Sequence, residues 1–286
     1  MHAFGQFRKR IGLPIIRRTM AILLGLTALP AMAESQESQE SHRDVHDVPV
    51  AGQLIKVAVM RPIGEGPWPV AVINHGTPGP GAGKYSTFTD ASRWFLSKGY
   101  VVALPVRRGY GATGGSRADS PGRCPGPDYF RAGIETARDA LATLSYMQGQ
   151  SYVTSDKALI VGQSTGGFGA IAAASQNPRG VAALINFAGG RSGNNMCAPN
   201  ELVAAVKRYG QTAKTPMLWI YTENDKLFGP SLSKDLYRAY TANGAPAKFE
   251  LLDSFRNNGH ELFHRKEGVP LWSVHVERFL KEITSP

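Results

Sequence analysis

One stretch constrains this chain more than any other. Residues Ala158–Val161 are apolar, and they run into Gly162-Gln163-Ser164-Thr165-Gly166. A small-residue stretch from Phe168 to Ser175 follows at helical spacing. A buried strand, a sharp turn and a helix are implied in that order. G-x-S-x-G in that setting marks a turn so tight that the flanking positions must lack side chains. The turn lifts the Ser164 hydroxyl above the end of a sheet and aims the N–H of Thr165 at whatever sits over it. In a chain with 32 glycines the bare pattern is a weak signal, so the strand–turn–helix context carries the inference.

The rest of the chain repeats the same alternation. Strands are predicted over 54–60, 70–73, 100–106, 157–161, 181–187, 217–221 and 248–252. Helices are predicted over 88–98, 129–147, 201–209, 231–240 and 271–282. Strands alternating with helices imply a mostly parallel sheet covered on both faces. Sites on such sheets lie in the loops after the carboxyl ends of the strands. The spacing predicts a single α/β domain over residues 49–286. Residues 34–48, polar with an SQE repeat, read as a disordered linker.

Residues 1–33 read as a cleaved signal peptide. Arg8, Lys9, Arg10, Arg17 and Arg18 precede a short apolar run, and Ala31-Met32-Ala33 has the small-x-small pattern of a cleavage site. The apolar run is too short to span a bilayer. Arg17-Arg18 lacks the usual surroundings of a twin-arginine signal, so general secretion is preferred. This predicts a periplasmic or secreted protein without stable membrane insertion. The chain has 32 Lys and Arg against 22 Asp and Glu, a net charge of +10. The first 33 residues hold five of the basic residues and no acid, which leaves +5 after cleavage. No run of five basic residues survives there, so nucleic-acid binding has little support. In an oxidising compartment Cys124 and Cys197 are expected to pair, since both lie in Pro/Gly-rich loops near the same rim.

A serine hydroxyl is a poor nucleophile unless a base sits beside it and a third group orients that base. With the nucleophile on such an elbow, the chain order is Ser, then Asp or Glu, then His. Asp225 follows the strand at 217–221, and His260 follows the strand at 248–252. Glu223 and Asp253 compete with Asp225 but are less well placed. An oxyanion hole needs two backbone donors. The N–H of Thr165 is one, and the turn Asn74-His75-Gly76-Thr77-Pro78 offers Thr77 as the other, because Pro78 has no N–H. His75 reads as a structural turn residue. Small-molecule esters are the expected substrates, with no cofactor.

Two other motifs compete. His260-Glu261-Leu262-Phe263-His264 matches H-E-x-x-H, the zinc-protease helix signature. It follows Asn257-Asn258-Gly259, which starts a loop, and Pro270 stands where a metzincin has its third ligand. Gly109-Tyr110-Gly111-Ala112-Thr113-Gly114 matches a dinucleotide fingerprint, but a proline-rich loop follows where a helix is required. Arg107 and Arg108 could hold a substrate carboxylate, although such arginines more often pair with acids of the scaffold. Tyr110, Tyr129 and Phe130 are candidates for an apolar rim.

On Asn74-His75-Gly76, Arg107-Arg108-Gly109-Tyr110-Gly111, Gly162–Gly167, Thr222-Glu223-Asn224-Asp225 and Gly259-His260, the chain resembles the α/β-hydrolase superfamily. Within it the chain is similar to the dienelactone-hydrolase-like and related small serine esterases. The resemblance implies the α/β-hydrolase fold and a hydrolase of carboxylic esters; the short connections, with no long apolar insertion between Gly189 and Met217, predict no large lid. Characterised dienelactone hydrolases use a cysteine nucleophile, whereas this chain has Ser164. That difference favours a serine esterase relative over dienelactone hydrolysis itself. A peptidase or acyltransferase of the same fold, a catalytically silent binding protein and a zinc hydrolase using His260 and His264 are the alternatives.

Overall fold

A computed structural model describes residues 43–79, 83–84, 88–191 and 197–284. The expected signal peptide and residues 34–42 lie outside them. The described chain forms β1 (Arg43–Val50), β2 (Gln53–Met60), β3 (Val70–Asn74), α1 (Thr89–Ser97), β4 (Val101–Val106) and α2 (Tyr129–Gln148). It continues through β5 (Ala158–Gln163), α3 (Thr165–Ala174), β6 (Val181–Phe187), α4 (Pro199–Gly210), β7 (Met217–Thr222) and α5 (Pro230–Thr241). It ends with β8 (Ala247–Leu252), the 3₁₀ segment Gly259–His264 and α6 (Val269–Thr284).

The eight strands form one sheet in the order β1-β2-β4-β3-β5-β6-β7-β8. From β4 to β8 every neighbouring pair is parallel, while β1 and β2 are antiparallel additions at one edge. This is the α/β-hydrolase fold. All five residues of β3 are buried, as are all six of β4, β5 and β7. Burial on both faces explains why these strands read as unbroken apolar runs. Their side chains still alternate. Val70 and Val72 of β3 face a cluster built with α2, α3, α4 and α5, where Phe168, Tyr209 and Trp219 are prominent. Ala71 and Ile73 face the opposite cluster, built with α1 and α6 around Phe95, Trp272 and Phe279. The site-bearing strands are thus held from both sides.

One expectation fails here. Residues 43–48, read as the end of a disordered linker, pair throughout with β2, so the domain begins at or before Arg43 and not at Pro49. The strand is half solvated, and only Val48 and Val50 are buried, at 1% and 4% exposure. Its outward residues made it look too polar to order. The Ala51-Gly52 connection has positive φ at both residues (48° and 82°), the hairpin geometry that matches strand twist. Alanine is an unusual residue there, so the turn gave no signal. Among the described residues no helix is long and apolar enough to cross a membrane.

Candidate active site

Ser164 sits between β5 and α3 with φ 56° and ψ −122°. A non-glycine residue in that region is strained, and its surroundings must hold it there. They do so through three strands. Its N–H donates to Phe187 O at the end of β6 (3.0 Å), and its own carbonyl accepts from Phe168 N (2.9 Å) and Gly190 N (3.2 Å). The flanking glycines are required by space. A Cβ on Gly162 would lie 2.1 Å from Gly166 O, and one on Gly166 would lie 2.2 Å from Asn74 O on β3. The elbow therefore depends on β3, β5 and β6 together.

Asp225 follows β7 and is buried. Its Oδ1 accepts from the N–H groups of Leu227 (2.8 Å) and Phe228 (2.9 Å), and its Oδ2 lies 3.0 Å from His260 Nδ1. Asn258 Oδ1 accepts from the N–H groups of His260 and Lys226, both at 3.2 Å, which ties the histidine loop to the aspartate loop. Gln163 Nε2 donates to His260 O at 3.1 Å and so joins that loop to the elbow. The competing acids Glu223 and Asp253 are exposed. Ser164 and His260 line one cavity of about 610 Å³. No hydrogen bond joins the Ser164 hydroxyl to His260 among the described residues, and in unliganded sites that contact often closes only around substrate.

The turn after β3 comes alongside. Thr77 Oγ1 and Thr165 Oγ1 share a hydrogen bond of 2.8 Å. A Cβ on Gly76 would lie 3.0 Å from the Cβ of Ser164. The two expected donor residues are therefore adjacent beside the serine. On the other side of Thr77 a second cavity of about 410 Å³ opens, lined by Gly76, Phe88 and Tyr110.

His75 is buried in the scaffold. Its Nε2 accepts from Arg107 N (3.2 Å), so Nδ1 carries the proton and donates to Gly76 O (2.6 Å). Burial first, then the Arg107 charge, lowers its pKa from 6.5 to about 3. The unfolded chain therefore binds a proton between those values that the folded chain refuses. Stability should fall as pH drops below about 6.5, by about 1.4 kcal/mol per pH unit at most from this group. Urea titrations at stepped pH, comparing wild type with His75→Asn, isolate the effect; parallel curves for the two proteins would refute it.

Arg108 pairs with Asp139 (2.6 Å) and Glu135 (2.8 Å) of α2. Arg107 reaches Asp119 at 3.5 Å. Both are scaffold pairs, the commoner of the two roles considered for them. Asp119 also accepts from Tyr110 OH (3.0 Å) and Arg191 Nη1 (3.3 Å). Burial pushes its carboxyl up, but Arg107, Arg191 and Arg117 outweigh that and hold it below the usual carboxylate range. Arg191 and Gln163 were missed in the sequence. Arg191 follows β6 in Gly189-Gly190-Arg191, a basic residue at a strand's carboxyl end, which was the available signal. Of the aromatic candidates, Tyr129 lines the main cavity and Tyr110 the second one. Phe130 stacks on Tyr209 instead, at 5.0 Å.

The H-E-x-x-H stretch is a six-residue 3₁₀ segment. At three residues per turn its two histidines do not stack on one helical face as the zinc motif requires. His264 rests on Phe88 at 4.7 Å. Among the described residues no three His, Cys, Asp or Glu side chains gather as metal donors. Cys124 and Cys197 form a disulfide with Cα atoms 6.1 Å apart, and both line the main cavity. Its loss, by reductant or in the double Cys→Ser variant, should cost roughly 4 kcal/mol at most for a loop of this length. Thermal melts with and without reductant measure this, and an unchanged midpoint would count against it.

The model of the dienelactone hydrolase family matches residues 55–278. None of the curated proteins searched is significantly similar in sequence. Among solved structures, acylaminoacyl peptidase of Pyrococcus horikoshii is similar with a TM-score of 0.63 at 16% identity, covering 84% of this chain and 42% of that one. An esterase of Pyrococcus furiosus is similar with a TM-score of 0.62 at 15% identity, covering 86% of this chain and 92% of that one. Dipeptidyl peptidase 4 of Porphyromonas gingivalis has a TM-score of 0.60 at 18% identity, covering 82% of this chain and 35% of that one. This chain thus spans less than half the length of either peptidase.

Proposed function

Since the chain belongs to the dienelactone hydrolase family and is a hydrolase of the α/β-hydrolase fold, we propose that it cleaves carboxylic esters by a serine mechanism. The observation that carries this reading is the His260 Nδ1–Asp225 Oδ2 contact of 3.0 Å, with Asp225 buried behind a histidine that lines the same cavity as the strained Ser164 turn. Asp225 fixes His260 with Nδ1 protonated, which leaves Nε2 free to accept the serine proton. Ser164 Oγ attacks the ester carbonyl, and its proton passes to His260. The carbonyl oxygen becomes an oxyanion, held by the N–H groups of Thr77 and Thr165. Collapse of that intermediate expels the alcohol, which takes the proton from His260 and leaves an acyl-Ser164. Water then attacks with His260 as base, and the acid leaves.

Small-molecule substrates fit the family and the size of the cavity. Ester cleavage is favoured over the peptidase reading because the fold of the peptidase neighbours covers only part of those proteins. A periplasmic or secreted location is supported by the disulfide, which persists in oxidising compartments.

The test is active-site labelling. A fluorophosphonate should label Ser164, identified by peptide mass, and a short-chain p-nitrophenyl ester should be hydrolysed faster than the matching anilide. Chelators should leave the rate unchanged, and His264→Ala should keep most of it. Inactivation by phenanthroline with recovery on adding zinc would instead install the metal reading.

A further inference from the structure

The buried polar groups around Arg107 have no part in the chemistry above, yet they touch the turn that would bind the oxyanion. Arg107 directly follows β4 and has a fully buried side chain. Its Nη1 donates to His75 O, and its Nη2 lies 3.4 Å from Gly76 O. Gly76 O also accepts from His75 Nδ1 at 2.6 Å. Both main-chain carbonyls before Thr77 are therefore occupied from the interior. The Nε edge of the guanidinium faces Asp119 in a buried ion pair at 3.5 Å without a hydrogen bond, and Arg191, Tyr110 and Arg117 hold Asp119 in turn.

The Gly76–Thr77 peptide is not among the cis bonds of the chain. In a trans peptide the C=O and N–H of one planar unit point in opposite directions. Gly76 O and Thr77 N–H belong to the same unit. Fixing the carbonyl against His75 and Arg107 turns the N–H away from them, and Thr77 itself meets Thr165 through its hydroxyl and lines the Ser164 cavity. A donor to the carbonyl also polarises the unit and strengthens its N–H as a donor.

We infer that Arg107, acting with His75, is a positioning residue that aims the Thr77 N–H at the oxyanion. Arg108 provides the internal comparison. It is the next residue and equally an ion-paired arginine, but its side-chain donors land on Glu135 and Asp139 of α2 and not on the turn. This inference rests on the ester-hydrolase reading and refines its oxyanion site.

The experiment compares Arg107→Gln, Arg107→Lys and Arg108→Lys in the full chain, with folding checked by thermal melt. Complete loss of an oxyanion donor costs about 10²–10³ in kcat, so a mis-aimed one should cost about 10–100-fold in Arg107→Gln with KM within about threefold. Arg107→Lys keeps the charge opposite Asp119 but not the fork, and should recover part of the loss. If Arg107→Gln does not fold, the lysine variant carries the test. The inhibition constant of a trifluoromethyl ketone, whose adduct oxygen occupies the oxyanion position, should rise by the factor by which kcat/KM falls. Arg108→Lys should lose stability yet keep kcat within about threefold. Folded Arg107 variants that keep kcat, or that lose it only in step with Arg108→Lys, overturn the inference. Wild type that is neither labelled at Ser164 nor active on esters overturns the parent reading separately, and this one with it.

Discussion

Replacing Ser164 by alanine should reduce ester hydrolysis by three to six orders of magnitude, roughly the range for removing a triad nucleophile. The fold should survive the change. Alanine keeps the Cβ that the φ 56° turn already accommodates, and the bonds that hold the turn come from the main chain of residue 164. The prediction is thus a sharp separation, with activity lost and the melting temperature held within a few degrees. Fluorophosphonate labelling should vanish with the activity. Residual hydrolysis above about a tenth of wild type would falsify the nucleophile assignment, because binding and the oxyanion donors alone leave far less.

Asp225→Asn should cost about 10³–10⁴ in kcat by a different route. The carboxylate has two separate duties in this structure. Oδ1 receives the N–H groups of Leu227 and Phe228, and Oδ2 receives His260 Nδ1. Asparagine can perform the first duty with its carbonyl oxygen, so the loop should keep its shape. It then presents an NH₂ group to Nδ1. Two donors cannot share that contact, so the ring must hold its proton on Nε2, where it can no longer accept one from Ser164. Steady-state kinetics with a thermal melt tests this. A loss below about tenfold in a folded variant would mean that another acid orients the histidine.

How much of this could be read in advance depends on where each signal comes from. The central strands are legible because burial on both faces writes a continuous apolar run, as in Ala158–Gln163. The elbow is legible because steric exclusion forces glycine at 162 and 166. Asp225 and His260 were visible through their positions after strands. β1 was not, because a half-solvated edge strand shares its composition with a linker, and only the pairing partner distinguishes them. The joining of Arg107, Asp119 and Arg191 into one group was not legible, for a related reason. Asp119 and Arg191 are separated by 72 positions in sequence, and no local pattern reports such a pairing. Gln163 stood in plain view as the variable position of the motif, but its bond to the backbone of His260 exists only once the fold brings the two loops together.

The register of the edge hairpin also fixes which way round the molecule is held. Arg43 stands opposite Met60, and Met60 lies beside Val102 near the start of β4. Val50, at the other end of β1, lies opposite Gln53, toward the strand ends that carry the serine and aspartate loops. The described chain therefore enters the sheet at its rear pole. A bead, carrier or anchor attached at Arg43 would therefore grip the protein at the end of the sheet away from the loops that carry Ser164 and Asp225.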